Sequence, residues 1–162
     1  MSAAEHPSVA RVVAALRAAG HDAAADGMRV LGAEVRTAAQ AAAALAVEVG
    51  AIANSLVFRA GDAPLLALTS GAHRADTRVL AELAGAAAVD RADPDFVREH
   101  TGQAIGGVAP VGHPHRLLTF VDTALERHAV VWAAGGHPKA VFPTTFAGLL
   151  ALTGGRAAGL AG

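Results

Sequence analysis

The segment TGQAIGGVAPVGH, residues 101–113, holds the densest chemistry in the chain. Gly106 and Gly107 permit conformations and close approaches that a Cβ forbids, and Pro110 fixes the exit of the segment while removing one donor. Such a loop can aim successive N–H groups at a negative oxygen, as an anion-binding nest does. It can also be a tight turn between strands, and spacing alone favours the turn.

Other residues could do chemistry as well. In SGAHRAD, Ser70 lies near His73 and Asp76 in sequence, but a triad is assembled across a fold, so Ser70 reads as a strand end or turn cap and a triad is set aside. His113 and His115 flank Pro114. No nearby carboxylate completes a metal site with them, and a metal-free loop pair is the preferred reading. The period of two puts Asn54 on one strand face with Ile52, Leu56 and Phe58, a polar group among apolar ones. It is either a buried amide satisfying backbone or a working side chain.

Several catalytic engines are missing: there is no GxGxxG after a strand, no GxxxxGK[ST], no HExxH and no GxSxG. With no cysteine, disulfides, thiolate nucleophiles and cysteine-bound zinc are excluded. Neither metal nor cofactor is expected.

The elements that must position these residues can be read coarsely. Val9, Val12, Val13 and Leu16 form an amphipathic stripe over 8–19, closed by Gly20. A strand is expected over 28–35 and a Thr37-capped helix to about 47, closed by Gly50. Strands over 52–58 and 65–69 flank a Gly/Asp/Pro turn and make a hairpin. Asp76 caps a helix to 83, and Asp93-Pro94 opens another that Gly102 ends. Strands over 117–121, 129–132 and 140–142 and a helix over 146–152 follow, with a fraying tail over 154–162. Strands and helices mix without regular alternation, which predicts an α+β fold with a mixed sheet.

The chain has 162 residues, 53% hydrophobic and 17% charged, so one folded domain spanning 1–162 is expected and disorder is not. The 43 alanines dilute every periodicity, and a single lysine, Lys139, stands against 12 arginines. No stretch reaches the roughly 18 apolar residues of a membrane helix, and the first residues lack the pattern of a signal peptide, which predicts a soluble cytoplasmic protein. A formal net charge of −1 argues against a broad footprint on DNA, while local recognition of a nucleic-acid end stays open.

Five motifs in order, ANSLVF (53–58), LTSGAHRAD (68–76), TGQAIGGVAPVGH, VDTAL (121–125) and WAAGGHPKAVF (132–142), resemble the YbaK/EbsC family. These are free-standing relatives of the editing domain of bacterial prolyl-tRNA synthetases. The resemblance covers roughly 28–153. It implies an α+β fold around a mixed, partly barrel-like sheet with flanking helices, and hydrolysis of mischarged aminoacyl-tRNA, often tRNA(Pro). The family's glycine-x-x-x-proline loop falls on Gly106 to Pro110.

An aminoacyl ester is activated, so water suffices as nucleophile, and backbone donors of Gly106, Gly107 and Val108 would stabilise the oxyanion, each worth on the order of 10² to 10³ in rate. The resemblance also implies a departure: in many members of the family a lysine that helps hold the terminal phosphate or the substrate carbonyl occupies the strand position of Asn54, and an asparagine donates only weaker, uncharged hydrogen bonds. The cysteinyl-tRNA deacylases share a serine-alanine-glycine turn that is Ala133-Ala134-Gly135 here, which speaks against a cysteinyl substrate.

Gly106, Gly107, Val108, Pro110 and Asn54 are thus the catalytic candidates. His137, Arg74, Ser70, His113 and Gly135 are the substrate-side candidates, His137 as pocket lining or exposed loop residue. Arg74, Arg78 and Arg116 could contact phosphate at a single-stranded tRNA end. Prolyl-tRNA synthetase is a possible partner, since near-neutral charge predicts weak intrinsic tRNA affinity. The competing expectation is a binding module for an aminoacyl or nucleotide ligand that has lost turnover, and a third is hydrolysis of another small acyl ester.

Overall fold

The computed structural model describes residues 6–162. Local chemistry sets most helix ends. Helix α1 (Pro7–Ala18) starts where the His6 ring accepts from the Ser8 N–H and Pro7 occupies the first turn, and its stripe of Val9, Val12 and Leu16 is buried. Helix α3 (Ala38–Leu45) opens with a full capping box between Thr37 and Gln40, and ends at Ala46 in the left-handed region rather than at Gly50. Helices α4 (Thr77–Ala84), α5 (Pro94–Thr101) and α6 (Phe146–Thr153) are capped by Asp76, Asp93 and Thr145 and stopped by left-handed glycines. The short helix α2 (Asp22–Asp26) was not expected from the sequence.

The strands form one mixed sheet of eight in the order β1-β7-β6-β2-β3-β5-β8, with β4 attached to β2. Strands β2 (Ile52–Ala60) and β3 (Ala63–Ser70) are the expected hairpin, paired antiparallel from Ala60↔Ala63 to Ala53↔Ser70. Parallel pairs join β3 to β5 (Leu118–Asp122) and β2 to β6 (Val131–Ala134), while β7 (Ala140–Thr144) returns antiparallel on β6. The α+β expectation holds. Its barrel-like aspect does not become closure: the order has two ends, β1 and β8.

Two segments depart from the sequence reading. The expected strand over 28–35 shrinks to β1 (Arg29–Val30), because Leu31 and Val35 turn inward to pack with Ala41, Ala42, Leu45 and Ile52. The tail does not fray. The free edge of β5 offers unpaired groups, which β8 (Arg156–Ala158) takes in parallel, and Leu160 is completely buried beside Leu65, Leu80 and Phe120.

Among the described residues, the middle of β2 lacks a partner on one side. Its second edge is shared: β6 takes Ile52 and Ala53, and β4 (Val89–Arg91) takes Phe58 to Ala60. Among the described residues, positions 54–57 pair with no strand on that side. The cluster of Ala92, Phe96, Val97 and Val108, against which Val57 packs, brings the segment that follows α5 to this notch.

Candidate functional site

The glycine-rich segment is held from behind by Gln103, which sequence reasoning passed over. Its side chain is buried. The amide oxygen accepts from the Ala109 N–H at 2.7 Å, and the amide nitrogen donates to the Val111 carbonyl at 3.0 Å. His113 adds a third tie, its Nε2 donating to the Ala109 carbonyl at 2.7 Å, which leaves Nδ1 without a proton while the ring is neutral. Burial is the largest influence on this ring and lowers its pKa below the ordinary histidine value; neighbouring His115 pushes the same way, while the bond to Ala109 opposes it. His113 therefore supports the loop and is engaged there.

Between these ties the loop divides. Ala104, Ile105 and Gly106 are exposed, and Gly107 through Pro110 are buried. Gly106 has φ +93°, which a side chain rarely tolerates. Gly107 lies so close to the turn after β6 that a Cβ there would come 2.5 Å from the carbonyl carbon of His137. The Gly107 N–H bonds the Ala104 carbonyl at a long 3.3 Å. Among the described residues the N–H groups of Gly106 and Val108 have no partner within the protein.

The turn under Gly107 is residues 135–139. Gly135 donates to the Ala140 carbonyl at 2.8 Å and lies under the Met28 sulfur, so it closes the β6–β7 hairpin. Gly136, at φ +97°, packs on the Ser8 backbone at the start of α1. The His137 ring accepts from the Lys139 N–H at 3.1 Å and tilts against His6 with centroids 5.3 Å apart. Burial first, then the nearby His6 and Lys139, lower its pKa. Lys139 in turn donates to the Val35 carbonyl.

Among the described residues no hydrogen bond joins Asn54, Ser70 or Arg74 to the loop. Asn54 stands at the edge of the notch, opposite Thr69 across the hairpin. Strand alternation turns its side chain away from the face on which Val57 meets the cluster containing Val108. The Thr69 hydroxyl and, on the opposite face, that of Ser55 are buried without a partner among the described residues. Ser70 is buried and engaged: its hydroxyl donates to the Gly50 carbonyl at 2.9 Å. Arg74 is exposed in the turn before α4, and no hydrogen bond joins it to the loop. Arg78 is exposed beside the capping Asp76.

The sequence reading also missed Asp122. It is buried at the end of β5, where its carboxylate accepts from the Ser70 N–H at 3.0 Å, the Ala124 N–H at 3.1 Å and His73 Nε2 at 2.5 Å. Its place before Thr123 and Ala124 in the VDTAL motif was a visible cap signal. The pairing with His73 across 49 positions had none, since it depends on β3 and β5 lying side by side.

Residues 32–152 match the aminoacyl-tRNA editing domain family. Among solved structures, the chain is similar to a protein presented as a candidate trans-editing enzyme for prolyl-tRNA synthetase, at 43% identity and TM-score 0.89, covering 97% of this chain and 98% of that one. It is also similar to a scaffold protein used in computational epitope grafting, at 40% identity and TM-score 0.90, covering 96% and 98%. The uncharacterised protein YwhH of Bacillus subtilis (strain 168) is 34% identical over 110 residues, 67% of this chain and 69% of that protein.

Proposed function

The chain belongs to the aminoacyl-tRNA editing domain family, and from that premise we propose that it is a trans-editing deacylase, freeing tRNA(Pro) from a wrongly attached amino acid. Water attacks the ester carbonyl carbon, the bond from that carbon to the ribose oxygen breaks, and the proton released by water passes to the ribose oxygen. Free amino acid and intact tRNA leave. The oxyanion of the tetrahedral intermediate is held by the N–H groups of Gly106 and Val108, each worth on the order of 10² to 10³ in rate. The long Gly107–Ala104 bond is weak enough to release a third donor.

One observation carries this reading: two unpaired N–H groups on a loop that Gln103 and His113 hold in place from behind. Preorganised donors are what acyl-ester hydrolysis by water needs, and they require neither a nucleophilic side chain nor a metal. His137, its charged form disfavoured by burial and by the nearby His6 and Lys139, is assigned to the acyl side because Gly107 lies against its backbone. The work is done in the cytoplasm alongside prolyl-tRNA synthetase.

Asn54 favours a second reading. Without the lysine of related proteins the chain would bind the acyl end and not turn it over. Incubating the protein with alanyl-, cysteinyl-, seryl- and threonyl-tRNA(Pro) decides between them. Release of any amino acid well above the spontaneous rate supports the enzyme. No release, together with large activity in an Asn54→Lys variant, supports the binding module and overturns the enzyme.

A further inference from the structure

The cleft on the other side of Pro110 has no part in that chemistry. It holds about 220 Å³, bounded by Pro110, His113, His115, Arg116, Thr119 and Thr153 among others. Sites that enclose a whole small ligand run to roughly 300–1,000 Å³, so this one takes a fragment. The second hollow of the described residues, around Ala60, Gly61 and Asp90, offers a carboxylate and no cation.

Two of the wall's polar groups are already engaged. The Thr119 hydroxyl donates to the Leu117 carbonyl at 3.0 Å and that of Thr153 to Leu149 at 2.7 Å. The exposed groups are a ring and a guanidinium. His115 is exposed, yet its ring meets that of His100 at right angles with centroids 5.8 Å apart, and His100 in turn tilts against Phe96 at 4.4 Å. Arg116 is exposed, forms no ion pair among the described residues, and lies against Gly154 at the C-terminal end of α6, where a cation is favoured. A flat ring beside a guanidinium is how proteins take single-stranded RNA, the base stacking on one and the phosphodiester on the other.

Pro110 lines the cleft and ends the loop that begins at Gly106, so cleft and loop adjoin along the chain and one RNA strand is taken to span both. We infer that this cleft seats the nucleotide preceding the acylated adenosine, its base on His115 and its phosphodiester on Arg116. The identity of that occupant rests on the editing reading. With a net charge of −1, the chain needs such a local grip, for it has no general attraction to RNA.

The probe is an uncharged, labelled RNA minihelix ending in single-stranded CCA, titrated onto the full chain and followed by fluorescence anisotropy. Arg116→Ala and His115→Ala each weaken binding about tenfold. Arg116→Ala also flattens the log–log salt slope by about 0.7, one single-strand phosphate, while Arg116→Lys keeps the slope. A minihelix lacking CCA binds parent and variants alike. His115→Ala keeps the test readable should Arg116→Ala loosen α6. Equal binding of parent and variants to the CCA minihelix overturns the inference, as does an equal loss on the blunt one. Because this RNA carries no amino acid, an inactive parent sinks the deacylase and leaves the binding result standing.

Discussion

Replacing Gln103 with leucine tests whether the loop is held as described. Leucine is close in volume, so no large cavity opens and the change is one of hydrogen bonding. The Ala109 N–H, in a residue with no exposed surface, loses its acceptor at 2.7 Å, and the half-buried Val111 carbonyl loses its donor at 3.0 Å. A buried group left unsatisfied costs about 1–3 kcal/mol, less for the partly exposed carbonyl, which sums to about 2–4 kcal/mol. For a chain of this size that is a fall in Tm of roughly 4–16 °C by scanning calorimetry. A loop shifted by about 1 Å also lowers single-turnover deacylation on the order of 10²-fold. Gln103→Glu sharpens the test. A buried carboxylate accepts from Ala109 but cannot donate to Val111, and burial raises its folded pKa above the unfolded value of about 4.3. The folded state then binds the extra proton, so the defect is full above the folded pKa and eases as pH falls through it. A leucine variant that melts within about 2 °C of the parent and deacylates at the parental rate refutes the support role.

Gly107→Ala drives a Cβ into the His137–Pro138 backbone and costs about 1–3 kcal/mol along with activity, so the chemistry is better read from Gly106→Ala. There the space is open, and the left-handed φ costs on the order of 1 kcal/mol while misdirecting the donors, which a deacylation assay detects beside a fall of roughly 0.3–1 M in the urea midpoint. His113 has a lowered folded pKa, so the unfolded chain binds the extra proton; stability is full above about pH 6.5 and declines as pH falls from there toward the folded value. In His113→Gln that part of the decline disappears, and urea midpoints at pH 7 and 5 that change as in the parent contradict it. Leu160→Ala costs about 2–5 kcal/mol by denaturant unfolding if the tail is part of the core, and nothing measurable if it frays. Asp122→Ala strips Ser70, Ala124 and His73 of one shared acceptor and costs at least about 3 kcal/mol in the same measurement.

Local chemistry was legible along the chain because it acts over three or four residues. Asp76 and Asp93 cap helices by bonding N–H groups two or three positions on, and Gly61 turns the β2–β3 hairpin, so local residue types marked these ends, whereas the Thr145 cap emerged only in the structure. The glycine-rich segment was likewise visible as a loop, and the five ordered motifs pointed to the editing family. What a residue faces depends on partners far away in sequence. The division of β2's edge between β4 and β6, the parallel docking of β8 on β5, and the meeting of Asp122 with His73 all follow from sheet order, which no local pattern encodes. The same holds for Gln103, an ordinary polar residue in the sequence, which acquires its task only when the chain doubles back and presents the Ala109 N–H and the Val111 carbonyl to one buried amide.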